Sequence, residues 1–437
     1  MTNQSFLSRK KIRLRLLATT LIFQALYWLW AIAHGMYNSR PFQFSKFSWV
    51  VNDEVWIAKE SFYPNVPLWG AHRFSDLTIF WSYVADPLPY AHGGRFVPTI
   101  APIGLSFYAL LSSFGFQIGL IFFLAFSLMS PALIIRTFLK ELSLSDHVVA
   151  YCSLVLLNVS VLVAIDRGNV LPIIVPVLGY LIYKLMISSS FGMAEVIAFA
   201  AIISIKPYLL MVLILFIGER KFRFTIHVLL TTAISNVVAS FAFGMSPFKI
   251  VSSILESQSG YVNEVSLQNS INVSAATFKA VYVLVRFISG ESAAFSYFQM
   301  HPQMIALSGL IYLSAVVLIC VQSRIPLWIR VVAAVSTIQM VVSASPRYDL
   351  SFSLLVGLVI LQNFDSPLEN DSLRFKPKEI LVAIFCWLAF LLSVLPIVSS
   401  IYLAPIAWCF FVILVLSLYG LKIPSRRFRK YLSSLLV

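Results

Sequence analysis

Apolar runs long enough to cross a bilayer recur along the whole chain, and they leave it few folds. Stretches of roughly 17 to 22 residues fall near 117–138, 147–164, 170–186, 224–243, 304–321, 326–343, 379–398 and 401–418. In lipid every backbone N–H and C=O must find a partner within the protein, and runs of this length do so as helices. With a first helix over 14–33 and a shorter run at 350–363, the count is about ten firm crossings. The composition agrees: 59% of residues are hydrophobic and only 11% charged. The expectation is an all-α polytopic membrane protein of about 10–12 transmembrane helices. It forms one membrane domain over 1–437, with no tandem repeat or similarity between halves.

The charge reports orientation. The formal net charge of +14 would suit a nucleic-acid partner if the bases formed one surface, but they sit in short clusters at the ends of apolar runs, as cytoplasmic loops require. These clusters are the N-terminus, Arg136 with Lys140, Lys184, Arg220-Lys221-Arg223, Arg324 with Arg330, Arg374-Lys376-Lys378, and a basic tail over 419–437. No nucleic acid is expected as a partner, and both termini are expected in the cytoplasm. The first helix follows Arg9, Lys10, Lys11 and Arg13 without a small-residue cleavage site, which reads as an uncleaved signal-anchor. Cys152, Cys320, Cys386 and Cys409 all lie in apolar segments without paired spacing, as small buried hydrophobes do.

Two segments fit poorly as simple crossings. Residues 97–111 are short and hold Pro98 and Pro102, which suggests a re-entrant or interfacial helix. Residues 191–217 lie between two cytoplasmic clusters and therefore cross an even number of times, as a hairpin broken at Lys206-Pro207, where proline removes a donor and disfavours helix before it. Broken backbone at membrane depth has to line protein or a water-filled cavity, so Lys206 is expected in a cavity facing outward. Two large external loops follow from this topology, over 35–96 and 244–303. The second contains an apolar stretch at 275–288, interrupted by Lys279 and Arg286, which reads as an interfacial helix or as a further crossing.

The chemistry-bearing residues collect on the external side. Asp76, in the run Arg73-Phe74-Ser75-Asp76-Leu77, has two compatible readings: a helix cap beside the interface, or a general base held by Arg73. His92 and Arg95 follow a turn-rich stretch and suit either a phosphate contact or an interfacial anchor. Arg167 and Asn169 sit in an Asp166-Arg167-Gly168-Asn169 turn at a helix start, where anions are favoured; an Asp166–Arg167 pair is the alternative. Lys206 in an apolar run is expensive unless it serves a function or snorkels. Arg347 and Tyr348, after Ser345-Pro346, offer a cation that binds phosphate or pairs with Asp349.

The ordered combination of these features resembles the family 87 glycosyltransferases of the GT-C superfamily. It comprises an aspartate after Ser75, an aromatic-rich helix, the Pro89-Tyr90 turn, the Phe96-Val97-Pro98 re-entry, the Gly168-Asn169 turn, the Ile205-Lys206-Pro207 break and the late Ser345-Pro346. The likeness runs from about residue 14 to 349. It departs where family turns often show Gly-Gln instead of Gly168-Asn169, and where a tryptophan and histidine are common instead of Arg347-Tyr348-Asp349. The resemblance implies an enzyme of the bacterial inner membrane that moves a hexose or pentose from a polyprenyl-phosphate donor to a lipid-linked or envelope glycan acceptor at the periplasmic face. Asp76 would be its catalytic base, and Lys206 and Arg167-Gly168-Asn169 would border the donor site. A lipid monophosphate needs less charge neutralised than a nucleotide diphosphate, and no DxD motif or His/Cys ligand cluster is present, so no obligate metal or cofactor is expected. Two other classes fit the same outer cations, namely an oligosaccharide polymerase or ligase, and a transporter or flippase of lipid-linked sugars.

Overall fold

The computed structural model describes residues 12–26, 28–29, 49–52, 55–58, 75–86, 88–90, 100–166, 168–187, 189–264, 288–289, 302–341, 347–363, 377–394 and 400–420. These residues are helical apart from short turns and one antiparallel hairpin, β1 (Trp49–Asn52) and β2 (Val55–Ala58), in which Trp49 pairs with Ala58 and Asn52 with Val55. The hairpin lies in the first large loop and is a departure from the all-α expectation.

In chain order the helices are α1 (12–26), α2 (Ser75–Ala85), α3 (Pro102–Ser112), α4 (Phe116–Phe138), α5 (Leu144–Tyr151), α6 (Val159–Asp166), α7 (Leu171–Met186), α8 (Met193–Ile205), α9 (Leu213–Gly218), α10 (Phe222–Ala242) and α11 (Pro247–Glu264). They continue with α12 (Pro302–Val321), α13 (Leu327–Val341), α14 (Ser353–Asn363), α15 (Pro377–Val394) and α16 (Ser400–Tyr419). Proline opens many of them, at Pro102, Pro247, Pro302 and Pro377. The first turn of a helix has no intrahelical use for an N–H, so proline's missing donor costs nothing there.

Two described helices are long and apolar enough to cross a membrane, over Gln117–Phe138 and Phe222–Ala242, beside shorter apolar helices of 10–17 residues elsewhere in the chain. Both present bare hydrocarbon outward: Ile121, Met129 and Leu133 on α4, and Ile234, Val238 and Phe241 on α10, are all exposed. The centre is α13 and α14, where Val331 to Val335 and Leu354 to Leu361 are all buried. α4 lies along α7, α8 along α10, and α12, α13 and α14 pack in succession, with the α15–α16 hairpin against α14 and α12.

Two expected crossings are interrupted. The run at 147–164 is α5, a π turn over Cys152–Leu156, and then α6. Asn158 makes the break, because its Oδ1 accepts the N–H groups of Ser160 at 3.1 Å and Val161 at 3.4 Å while its Nδ2 donates to the Leu154 carbonyl. An amide side chain that caps a new helix start competes with continuation of the old one. The run at 191–217 breaks at Lys206 as expected, giving α8, a 3-10 turn over Pro207–Val212, and α9. The second large loop opens with α11, and all but the last residue of the stretch 275–288 lies outside the described residues.

Candidate functional site

Lys206 follows α8 with φ −131° and ψ 86°, out of helical space. Residue 207 is proline, whose ring excludes the helical conformation at the preceding position and removes an N–H from the ladder. The carbonyl of Ser204, beside this gap, accepts instead from the Ala101 N–H at 3.0 Å, across the start of α3. A polar node grows around that contact. Asn236 of α10 accepts from the Ile103 N–H at 3.1 Å, and its Nδ2 donates to Ser204 Oγ at 2.7 Å and to the Thr232 carbonyl at 2.8 Å. Gly104 lets the two chains meet, since a Cβ there would stand 2.9 Å from the Ser204 carbonyl oxygen.

The other side of the break faces the Arg347–Phe352 3-10 turn. Tyr208 packs edge-on against Phe352 at 6.4 Å between ring centroids, and Lys206 Nζ lies 5.9 Å from the centroid of the Tyr208 ring. That turn is seated by hydroxyls. Ser351 Oγ donates to the Ser160 carbonyl at 3.0 Å, and Ser160 Oγ donates to the Ser393 carbonyl at 3.0 Å. Ser393 Oγ in turn accepts from Trp408 Nε1 at 3.2 Å. All four side chains are buried. Buried hydroxyls that find carbonyl partners fix one register between elements, so α6, the Arg347–Phe352 turn, α15 and α16 share one arrangement.

α6 ends in a turn that the sequence specifies closely. Gly168 has φ +72°, the left-handed conformation that a Cβ disfavours. Its N–H donates to the Ile165 carbonyl at 2.9 Å, and the Asn169 N–H donates to the Ala164 carbonyl at 2.8 Å, the paired bonds of a Schellman motif. Asn169 is buried, and its Oδ1 accepts the Leu171 N–H at 3.2 Å. This i to i+2 bond is an Asx turn that leads the chain into α7.

α2 reaches this assembly through α3. Phe80 stacks on Tyr108 at 4.5 Å and 26°, so the backbone of Asp76, second residue of α2, rides on the helix whose start is tied to Ser204 and Asn236. Tyr90 donates its hydroxyl to the Ile100 carbonyl at 2.9 Å, holding the chain on the way into α3. Burial pushes the Tyr90 phenol up from its ordinary value, and it stays a neutral donor. Asp86 Oδ1 accepts the Leu88 N–H at 2.9 Å, an Asx turn.

Of the expected site residues, Lys206 and Asn169 are described in full, and Asp76, Arg347 and Tyr348 are placed by their backbone. Arg73, His92, Arg95 and Arg167 lie outside the described residues. The fold brings together the Lys206 break, the Arg347–Phe352 turn and the α6 terminus, because the turn packs on α6, α7 and α13, and the Pro207–Val212 segment packs on α13. Among the described residues α2 reaches them through α3. Sequence reasoning missed Ser204, Asn236 and Tyr208, although an asparagine inside an apolar 21-residue helix was a usable signal. Among the described residues no group of 3 or more His, Cys, Asp and Glu side chains gathers as a metal site requires. No family model, curated protein or solved structure matches the chain.

Proposed function

We propose that the chain is a polytopic enzyme of the bacterial inner membrane, with its termini in the cytoplasm, that transfers a hexose or pentose from a polyprenyl-phosphate donor to a lipid-linked or cell-envelope glycan acceptor. The observation that carries this reading is the meeting of the Lys206 break with the Arg347–Phe352 turn and the α6 terminus, inside a helical body whose surface is bare hydrocarbon. Irregular backbone at such depth is tolerated where it faces protein or a water-filled cavity, and a lysine there defaults to function. A polyprenyl phosphate suits both properties, with its tail in the lipid and its phosphate against cations.

The reaction is a single displacement. The Asp76 carboxylate takes the proton of the acceptor hydroxyl as its oxygen attacks the anomeric carbon, with inversion there. The bond from that carbon to the phosphate oxygen breaks, and the departing polyprenyl phosphate carries the negative charge, balanced by cations such as Lys206, Arg167 or Arg347. Arg73, His92 and Arg95 complete the entry from the first loop, and Tyr348 borders the donor.

The test is transfer of radiolabelled sugar from a panel of synthetic polyprenyl-phosphate sugars to membrane lipid extracts, with wild type beside Asp76→Asn. Transfer by wild type and none by a folded variant supports the reading. Equal transfer by both removes Asp76 from the mechanism. No transfer from any donor overturns the transferase, and a lipid-linked sugar flippase or a glycan polymerase takes its place.

A further inference from the structure

The turn between α9 and α10, at the opposite end of the helices from the site above, gathers three cations. Two other bases at this end have carboxylate partners. Lys184 Nζ lies 2.6 Å from Glu195 Oε1, and Arg330 donates to Glu219 Oε1. Arg220, Lys221 and Arg223 are packed within four positions, and among the described residues no carboxylate pairs with any of them. Like charges so close repel, and the start of α10 adds its own positive pole.

The backbone strengthens the point. Arg220 has φ +59°, and among the described residues it is the one non-glycine with positive φ. Its N–H donates to the Ile217 carbonyl at 3.0 Å and the Lys221 N–H to the Phe216 carbonyl at 2.9 Å, a Schellman turn in which glycine is the ordinary occupant. Lys221 is the N-cap of α10 and makes no side-chain cap bond there, where serine or threonine would serve the helix better. Both residues are thus worse for the fold than common alternatives, and both supply a cation. Beside them Phe191 packs on Phe224 at 4.4 Å and on Phe216 at 5.6 Å, with Lys184 Nζ and Lys221 Nζ each 5.8 Å from its ring centroid. Exposed apolar side chains of α10, Ile226, Leu229 and Leu230, continue from the turn along the helix. A cationic head region above an apolar track matches a phospholipid, not a small soluble anion.

We propose that Arg220, Lys221 and Arg223 hold the phosphodiester of an anionic phospholipid headgroup, with the acyl chains along Ile226, Leu229 and Leu230 of α10. This rests on the membrane reading above and is independent of sugar transfer. Clustered bases at a membrane surface gain affinity for anionic lipid residue by residue, and the Phe191 wall keeps Lys221 beside the headgroup.

The experiment uses the purified full chain in neutral detergent, and measures lipid binding by native mass spectrometry and Tm by thermal unfolding. The probes are phosphatidylglycerol, phosphatidylcholine and inorganic phosphate, and no sugar donor is present, so a failed transferase leaves the result readable. The variant is Arg220→Gly with Lys221→Ser. Glycine relieves the left-handed position and serine caps α10, so the lipid-free Tm of the variant is expected at or above that of wild type. Phosphatidylglycerol binding is expected to weaken roughly 30-fold, from two lost surface cations, with phosphatidylcholine binding unchanged. Arg223→Gln, an exposed change beyond the turn, is expected to weaken phosphatidylglycerol binding alone by roughly fivefold. Undiminished phosphatidylglycerol binding in both variants overturns the proposal, and so does competition by inorganic phosphate that abolishes it, which would mark a site for a soluble anion.

Discussion

The two ends of the helical body solve the problem of polar groups beside hydrocarbon in opposite ways. At the end carrying Lys184, Glu195, Glu219 and Arg330 the helices terminate regularly, and two ion pairs join them, Lys184 with Glu195 and Arg330 with Glu219, while Arg324 donates to the Gln322 amide and the Gly420 carbonyl. At the other end the backbone itself is irregular, with the Asn158 and Lys206 breaks and the Arg347–Phe352 turn, and the polar groups are met by neutral amides and hydroxyls. Paired charge is weak evidence for stabilisation, but it locks partners in register. Neutral nodes around broken helices hold a shape through amides and hydroxyls that find carbonyl or N–H partners. The difference is between an end whose helices are joined by ion pairs and an end whose helices are joined by neutral hydrogen bonds.

The largest expected effect breaks that comparison if it fails. Asp76→Asn should lower sugar transfer on the order of 10²–10⁴-fold, the usual range for a lost general base, with Tm unchanged, measured on the same preparation. Glu219→Ala is the counterpart at the other end. Arg330 is 5% exposed, and stripping a partner from a buried charge costs about 3–5 kcal/mol. Tm should fall sharply while transfer per folded molecule holds. A Glu219 variant that lost turnover at full stability would show that the ion-paired end also takes part in the reaction.

Much of the fold was legible in the sequence because its signals are local. The runs at 117–138, 170–186 and 224–243 became α4, α7 and α10 within a residue or two, and the break at Lys206 was readable because Pro207 acts on its immediate neighbour. The split at Asn158 was not, since the amide gains its capping role from bonds to Leu154, Ser160 and Val161 that an uninterrupted helix would replace. The Gly168-Asn169 turn was located correctly, but the bond from the Leu171 N–H to Asn169 Oδ1 that leads into α7 was not read from the sequence. The node of Ser204, Asn236 and the α3 start joins residues more than 130 positions apart. No spacing along the chain announces such a meeting.

Asn236 gives the sharper mid-sized test, because it ties the α3 start to the residue two before Lys206 without carrying charge. Asn236→Leu would keep the volume and strand the Ile103 N–H in a part-buried site, at a cost of about 1–3 kcal/mol for an unsatisfied group, while Ser204 Oγ keeps its bond to the Ala200 carbonyl. If the break-rich end works by holding Lys206 and α2 in register, KM for the polyprenyl-phosphate donor should rise more than Tm loss explains, and Asn236→Gln should recover part of it. A variant that lost stability alone would reduce the node to packing. Gly168→Ala is the smallest change and the cleanest. A left-handed alanine costs roughly 1–2 kcal/mol, and the turn it strains sits between α6 and the Asx turn that Asn169 makes before α7. Its Tm should fall modestly and its KM with it should barely move, since Gly168 supplies conformation and no ligand contact. A large KM change from this one methyl group would mean that the α6 terminus itself touches the donor, and would move the centre of the site from Lys206 toward Arg167.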